Sequence, residues 1–265
     1  MNRSKLMINE RNTDKDWEKI GLENPYWGVI SAPEFNYLKE ENVDLLDRFY
    51  KTGEDEVNKL INTIKTKVKC NFEIESVLDF GSGVGRLLLP FAQRTSNICY
   101  GCDISEGMHE KCLIRANYLD LNNIKLIQDL ENIKISFSLV NTRIVLQHIP
   151  PKRGINYINK LAELVKDNGI FSLQFTVARE KSLIKHNESN FYIFNGDKVE
   201  GLFTNIGSDR PSGSMSMFDY SLIEIVLLLK MHNFTNMHLE TDNMGGHISV
   251  QIISCKTNSV RTSKL

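Results

Sequence analysis

The sequence has no excess of charge of either sign. Its 265 residues include 32 lysines and arginines against 33 aspartates and glutamates, which gives a formal net charge of −1. Proteins that bind nucleic acid or an anionic membrane surface through electrostatic attraction usually carry a clear basic excess. The composition therefore argues against a nucleic-acid partner and favours a small or neutral ligand.

Long apolar runs are absent as well. Residues 1–10 are polar and lack the apolar core of a signal peptide. The most apolar later run, Leu222–Leu229, is far too short to span a bilayer and is better explained as a buried helix. We therefore expect a soluble, cytoplasmic protein with no membrane partner, and no pattern in the sequence indicates its oligomeric state.

Cysteine is scarce and scattered. The five cysteines show neither a metal-ligand spacing nor a dense disulfide framework, so we expect reduced thiols. Cys99 and Cys102 match C-x-x-C only formally, because they fall on a predicted strand where the two side chains would point in alternating directions. The histidines show no joint metal spacing either, and we predict no metal site.

An alternation of strand and helix patterns occupies the middle of the chain. Strands are predicted near 75–80, 97–102, 124–128, 138–142 and 170–176, with helices near 85–94, 106–118 and 152–166. Asp167-Asn168-Gly169 is expected to end the last of these helices. A final helix near 219–231 and strands near 236–240 and 247–255 complete an α/β fold, with a mostly parallel seven-stranded sheet between helices.

Two regions flank or interrupt this alternation. Residues 1–70 are predicted to form an N-terminal arm and helices that pack on a domain of residues 71–265. Within them, residues 43–67 have apolar side chains at helical spacing, interrupted at Thr52-Gly53, and residues 1–20 look like a loosely packed arm. An insertion at about 178–216 is expected to cover the ligand site, and its aromatic residues are Phe191, Tyr192, Phe194 and Phe203.

The most informative stretch is residues 77–86, Val-Leu-Asp-Phe-Gly-Ser-Gly-Val-Gly-Arg. Its apolar start predicts a buried strand, and its glycines let the backbone turn sharply and approach a ligand closely. The helix that follows aims unpaired N–H groups at the same place. Dinucleotide and S-adenosylmethionine sites share this pattern. Asp79, two residues before Gly81, favours S-adenosylmethionine, because its ammonium and sulfonium groups favour acidic surroundings.

Three further segments follow in order: Tyr-Gly-Cys-Asp-Ile-Ser at 100–105, Ile-Gln-Asp-Leu at 127–130, and Phe-Ser-Leu-Val-Asn-Thr-Arg-Ile-Val-Leu-Gln-His-Ile-Pro-Pro at 137–151. Together with residues 77–85 they resemble the motifs of the class I S-adenosylmethionine-dependent methyltransferases, over about residues 70–256. The resemblance implies the three-layer, Rossmann-like fold of that family, and it implies S-adenosylmethionine as the cofactor.

The resemblance implies roles at the methionine end of the cofactor. Gly81 and Gly83 would contact the methionine portion, and Asp79 would shape the turn and interact with the amino group, directly or through water. Asn141, at the end of the fourth predicted strand, would border the same moiety.

It also implies roles at the adenosine end. Asp103 would accept hydrogen bonds from both ribose hydroxyls, and Ile104 would lie against the adenine. Asp129 would accept from the exocyclic amine, while the Leu130 N–H would meet a ring nitrogen. Asp103 could alternatively cap the helix that begins near residue 106, although Ser105 can perform that capping instead.

Residues that could act on the acceptor are less sharply marked. His148 is the candidate general base, with a structural histidine at the Pro150-Pro151 turn as the alternative. His247 is more simply an edge-strand or turn histidine, and Arg143 and Gln147 could equally orient a polar acceptor or be solvated. Tyr26 and Trp27 could close over the sulfonium or pack the arm on the first helix.

These observations predict a methyltransferase that transfers a methyl group to an oxygen or nitrogen of a small molecule, possibly a sugar or a secondary metabolite. Two alternatives stay open. One is a nicotinamide-dependent oxidoreductase with the same glycine turn, against which Asp79 and Asp129 count. The other is a non-catalytic protein that keeps the fold and binds the cofactor.

Overall fold

The computed structural model describes residues 13–180, 215 and 217–258. The predicted cover insertion at 178–216, with its four aromatic residues, therefore lies almost entirely outside the described residues. None of the helices in the described ranges has the length and apolarity needed to cross a bilayer. The division of the chain near residue 70 stays a prediction.

A seven-stranded sheet forms the centre of the molecule, and all seven predicted strands are present. Its strands in spatial order are β3, β2, β1, β4, β5, β7 and β6. The first five are parallel, while β7 runs antiparallel to both β5 and β6. The strands are β1 Val77–Phe80, β2 Cys99–Cys102, β3 Ile124–Ile127, β4 Phe137–Thr142, β5 Val165–Arg179, β6 Phe234–Met244 and β7 His247–Lys256.

Helices cover both faces of the sheet, which confirms the predicted three-layer α/β fold. Val77 of β1 packs in the apolar cluster beneath α3, α4 and α5, and its neighbour Leu78 packs in the cluster beneath α6 and α7. The central strand is therefore buried on both sides, as parallel strands usually are. The helices are α1 Thr13–Glu23, α2 Pro25–Val29, α3 Val43–Thr63, α4 Leu88–Ala92, α5 Glu106–Tyr118, α6 Pro151–Glu163 and α7 Leu222–Met231.

The strand order reverses at β1. The chain runs outward from β1 through β2 to β3 and then returns to β4 on the other side of β1. The connections that leave β1 and β4 therefore diverge, and a crevice opens at the carboxyl ends of these two strands. Open α/β sheets bind their ligands at this point.

The predicted interruption at Thr52-Gly53 is wrong, since α3 is continuous through both residues. The Thr52 hydroxyl donates a hydrogen bond to the Phe49 carbonyl within the helix, at 2.6 Å. A β-carbon at Gly53 would overlap the carbonyl oxygen of Arg86. The glycine thus serves close packing of α3 on the chain after the glycine turn, a long-range contact that local sequence does not reveal.

Two further boundaries differ from the prediction. The N-terminal arm is helical from Thr13, because α1 packs on α5 so closely that a β-carbon at Gly21 would overlap the Ser105 hydroxyl. The helix expected to reach residue 166 ends at Glu163, and β5 begins at Val165. Asn168 does take the left-handed conformation, with φ of 61°, but it lies within β5.

The glycine turn after β1 has a left-handed backbone. Gly81, Gly83 and Gly85 have φ of 75°, 52° and 82°, a region that costs other residues energy. Gly81 also faces Val145 of the segment after β4, and a β-carbon there would overlap the Val145 side chain. The turn is therefore fixed both by its own backbone and by contact with the next crevice wall.

Gly81→Ala is expected to destabilise the protein more than Gly245→Ala does. Both glycines have positive φ, but an added β-carbon at Gly245 meets nothing within 4 Å. Left-handed backbone should cost each variant about 1–2 kcal/mol, and overlap with Val145 should add about 1–3 kcal/mol for Gly81→Ala alone. Urea unfolding measures both, and equal losses would contradict the close contact.

Candidate functional site

A cleft lies at the carboxyl ends of β1, β2 and β4. The glycine turn forms its floor, and Asp103 and Asp129 lie on the side of β2 and β3. Residues 143–145, His148 and Ile149 form the opposite wall. Helix α1 closes it from outside through Thr13, Asp14 and Trp17. The cleft is thus built by strand ends, which are rigid, together with an N-terminal helix that packs over them.

Asp103 joins the glycine turn to the start of α5. One carboxylate oxygen accepts from the Gly83 N–H at 2.8 Å, and the other accepts from the Ser105 N–H at 3.0 Å. Burial raises the pKa of Asp103, while these two N–H groups oppose the rise. The Ser105 hydroxyl caps α5 by accepting from the Met108 N–H. Because Ser105 is the capping residue, each Asp103 oxygen keeps a lone pair for the cleft.

Asp79 is the most deeply buried acid of the cleft. It lies one residue before the end of β1 with 3% of the residue exposed, and the Asn141 amide donates a hydrogen bond to its carboxylate at 2.8 Å. Loss of hydration raises the pKa of Asp79 to about 7, although Asn141 and the charge of Arg86 both oppose this. Burial thus favours the neutral acid here, and a further cation in the cleft would favour the carboxylate.

An ion cluster lies between the glycine turn and α3. Arg86 Nη2 is 2.7 Å from Glu56 Oε2, and Glu56 also contacts Arg143, which follows β4. Arg143 donates a further hydrogen bond to Gln251 of β7 at 2.8 Å. Arg143 is therefore held in place by partners on α3 and β7, and both arginines line the cleft.

The remaining predicted cofactor residues differ in their exposure and in whether they line the cleft. Ile104 is 37% exposed and lines the cleft beside Asp103. Asp129 is exposed at the rim, where one oxygen accepts from the Glu131 N–H at 2.9 Å. Leu130 has its side chain in the apolar core, and Asn141 lies behind Asp79 rather than among the cleft-lining residues. The ligand contacts proposed for these four residues stay predictions.

His148 lines the cleft on a short 3-10 turn, with only 5% of the residue exposed. The Trp17 ring of α1 meets it edge-on, with ring centroids 4.9 Å apart. Tyr26, by contrast, is packed against Phe49 and Tyr50, which is the structural alternative considered for it. Trp17, and not Trp27, is the tryptophan that lines the cleft.

Sequence reasoning missed the residues that join α1 to α6. Arg153 Nη1 is 2.6 Å from Asp14 Oδ1, and Arg153 Nη2 donates to the Tyr157 hydroxyl at 3.0 Å. All three residues line the cleft. Asp14, Trp17 and Gly21 are spaced i, i+3 and i+7, so the helical periodicity of α1 was a usable signal.

Two other residues considered from the sequence, His247 and Gln147, do not line the cleft. His247 is paired with Arg179 across β5 and β7, and it is not among the cleft-lining residues. Burial and the charge of Arg179 lower the pKa of His247. Gln147 is buried, with 4% of the residue exposed. In the ranges that the structure describes, no cluster of three or more histidines, cysteines or acids has the arrangement of a metal site.

Comparisons with known proteins agree with this geometry. Residues 77–169 match the family model of a methyltransferase domain. The magnesium protoporphyrin IX methyltransferase of Synechocystis PCC 6803, solved with SAH, aligns over 91% of this chain and 98% of its own, at 19% identity and a TM-score of 0.60. A S-adenosylmethionine-dependent methyltransferase from Clostridium acetobutylicum ATCC 824 aligns over 78% and 92%, at 16% identity and a TM-score of 0.56.

A sequence comparison with curated proteins gave no match. The residues present fit S-adenosylmethionine, because the left-handed glycines leave the floor of the cleft free of β-carbons and the buried Asp79 supplies an acid for the ammonium group. The matched domain contains the glycine turn, Asp103 and Asp129 together. Residues 77–169 therefore match a methyltransferase domain, the chain shares the fold of S-adenosylmethionine-dependent methyltransferases, and the residues of its cleft fit S-adenosylmethionine.

Proposed function

We propose that the protein transfers a methyl group to an oxygen or nitrogen of a small molecule in the cytoplasm. The observation that carries this proposal is that Asp79, Asp103 and the glycine turn line the same cleft as Trp17 of α1 and His148. A sugar or a secondary metabolite is the acceptor class we favour, from the resemblance of the whole chain to methyltransferases of such pathways.

The strand-end side of the cleft suits the cofactor. Asp103 has lone pairs available for the ribose hydroxyls, and Ile104 offers an apolar surface beside it. Asp79 at the floor would attract the ammonium of the methionine end. When bound, S-adenosylmethionine supplies a methyl group already activated by the sulfonium, so these residues need only fix its position.

The side under α1 suits an acceptor. Trp17, His148 and Tyr157 surround it with aromatic and polar groups, and the Asp14–Arg153 ion pair ties α1 to α6 across it. This cover would limit the access of water to the acceptor, which favours methyl transfer over side reactions. His148 would accept the proton that a hydroxyl or neutral amine acceptor loses as its oxygen or nitrogen attacks the methyl group, since the intrinsic pKa of histidine is near neutral.

Each of the two alternative functions predicts a different binding or activity result. A nicotinamide-dependent oxidoreductase should respond to NAD, and the methyltransferase-domain match of residues 77–169 counts against it. A non-catalytic protein would bind S-adenosylhomocysteine and methylate nothing across a broad acceptor panel.

Asp103→Ala should weaken the binding of S-adenosylhomocysteine by about 1–3 kcal/mol, because charge-assisted hydrogen bonds to the ribose are lost. Isothermal titration calorimetry measures this. Asp167→Ala, at an exposed acid outside the cleft, is the matched control and should bind normally. Because Asp103 also holds Gly83 and Ser105, Asp103→Asn and a thermal unfolding curve accompany it. Unaltered affinity in a folded variant would remove the ribose assignment.

An acceptor screen scored by the release of S-adenosylhomocysteine tests the transfer reaction. On any hit, His148→Ala should lower kcat by about 10²–10⁴-fold if the histidine removes a proton, while the affinity for S-adenosylhomocysteine stays the same. The same loss should appear for His148→Gln, which preserves much of the packing against Trp17. Turnover equal to the parent enzyme would show that His148 is structural.

A further inference from the structure

We propose that Arg86 binds the carboxylate of the cofactor's methionine end, beside Asp79, which binds the ammonium. The proposal rests on the proposed function only in requiring S-adenosylmethionine in this cleft, and it does not depend on turnover. It assigns a second charged contact to the glycine turn, from the residue that directly follows Gly85.

Arg86 is held rigidly at the cleft. Its side chain is 5% exposed, and it is one of the cleft-lining residues. Glu56 accepts from Nη2 at 2.7 Å, and the Thr52 hydroxyl lies 3.4 Å from Nη1. Both partners come from α3, which packs on the Arg86 carbonyl at Gly53. The guanidinium is therefore placed by the fold and cannot swing out into solvent.

One donor of this guanidinium has no use within the protein. Arg86 Nε is buried and has no hydrogen-bond partner. A buried N–H without an acceptor costs free energy, and a charged one costs more than a neutral one. An anion that enters the cleft would supply the missing acceptor, and guanidinium groups match carboxylates particularly well in geometry.

The charge on Arg86 is also only partly balanced. Glu56, its ion-pair partner, is shared with Arg143, so two guanidiniums compete for one carboxylate. Asp79 attracts Arg86 from the other side, but its described hydrogen bond is to Asn141. Burial lowers the pKa of Arg86 to about 10, which leaves it protonated at neutral pH.

Asp79 and Arg86 together match a zwitterion. The amino-acid end of S-adenosylmethionine carries an ammonium and a carboxylate on one carbon atom. The cleft offers a buried acid and a buried guanidinium at the two ends of one short turn, residues 79 and 86, and each acts electrostatically on the other. A purely structural Arg86, tying α3 to the turn, would show no preference for a ligand that carries a carboxylate.

Decarboxylated S-adenosylmethionine separates these two roles, because it keeps the sulfonium and the ammonium and lacks only the carboxylate. Calorimetry should show that the parent protein binds S-adenosylmethionine at least about tenfold more tightly than the decarboxylated compound, as expected for a charge-assisted contact. In Arg86→Gln that ratio should fall to within about twofold, because only S-adenosylmethionine loses affinity. Asp79→Asn is the matched control and should weaken both ligands.

Equal weakening of both ligands in Arg86→Gln would overturn the proposal and leave Arg86 a structural residue, as would an unchanged ratio. If Arg86→Gln does not fold, the same ratio of affinities is measured in two other variants. Arg86→Lys keeps the charge, and the double variant Glu56→Gln/Arg86→Gln leaves no unpaired acid. An inactive protein that still shows the tenfold ratio would refute methyl transfer and support this contact. Failure of the parent protein to bind either ligand would refute both.

Discussion

The site depends on one constraint, the burial of the Asp79 carboxyl group beneath the glycine turn. With 3% of the residue exposed, this acid has lost most of its hydration, and one amide hydrogen bond together with the charge of Arg86 offsets only part of that loss. Its pKa of about 7 expresses that deficit. A cation in the cleft would remove this deficit. The fold therefore favours a positively charged ligand near the end of β1.

The N-terminal helices complete the site that the sheet begins. Helix α3 supplies Glu56 to Arg86 and Arg143, and so connects the glycine turn with the segment after β4. Helix α1 covers the side that we propose for the acceptor, where Trp17 packs against His148 and Asp14 forms an ion pair with Arg153. The close packing of Gly21 and Gly53 lets the two helices approach α5 and the chain after the glycine turn. Residues from before the first strand thus connect both walls of the cleft.

The sequence was most informative where structure is local. The period of apolar residues predicted all seven strands. Asp79, the glycine turn and Asp103 do lie together at one cleft, because parallel strands end at a common edge of the sheet. Contacts between distant segments could not be predicted. Glu56 joins Arg86 across 30 residues, and Arg153 joins Asp14 across 139. Gly53 was misread as a break because its partner, the Arg86 carbonyl, is equally remote in sequence.

The central claim is tested most directly by measuring the pKa of the Asp79 carboxyl group with carbon-13 NMR, using Asp79→Asn to assign the resonance. The account predicts a midpoint near 7 in the free protein and a midpoint below about 5 with saturating S-adenosylhomocysteine, whose ammonium stabilises the ionised acid. Cofactor binding should accordingly strengthen as pH rises through the free-protein value. An ordinary midpoint near 4 in the free protein, or a midpoint that S-adenosylhomocysteine does not move, would contradict the account.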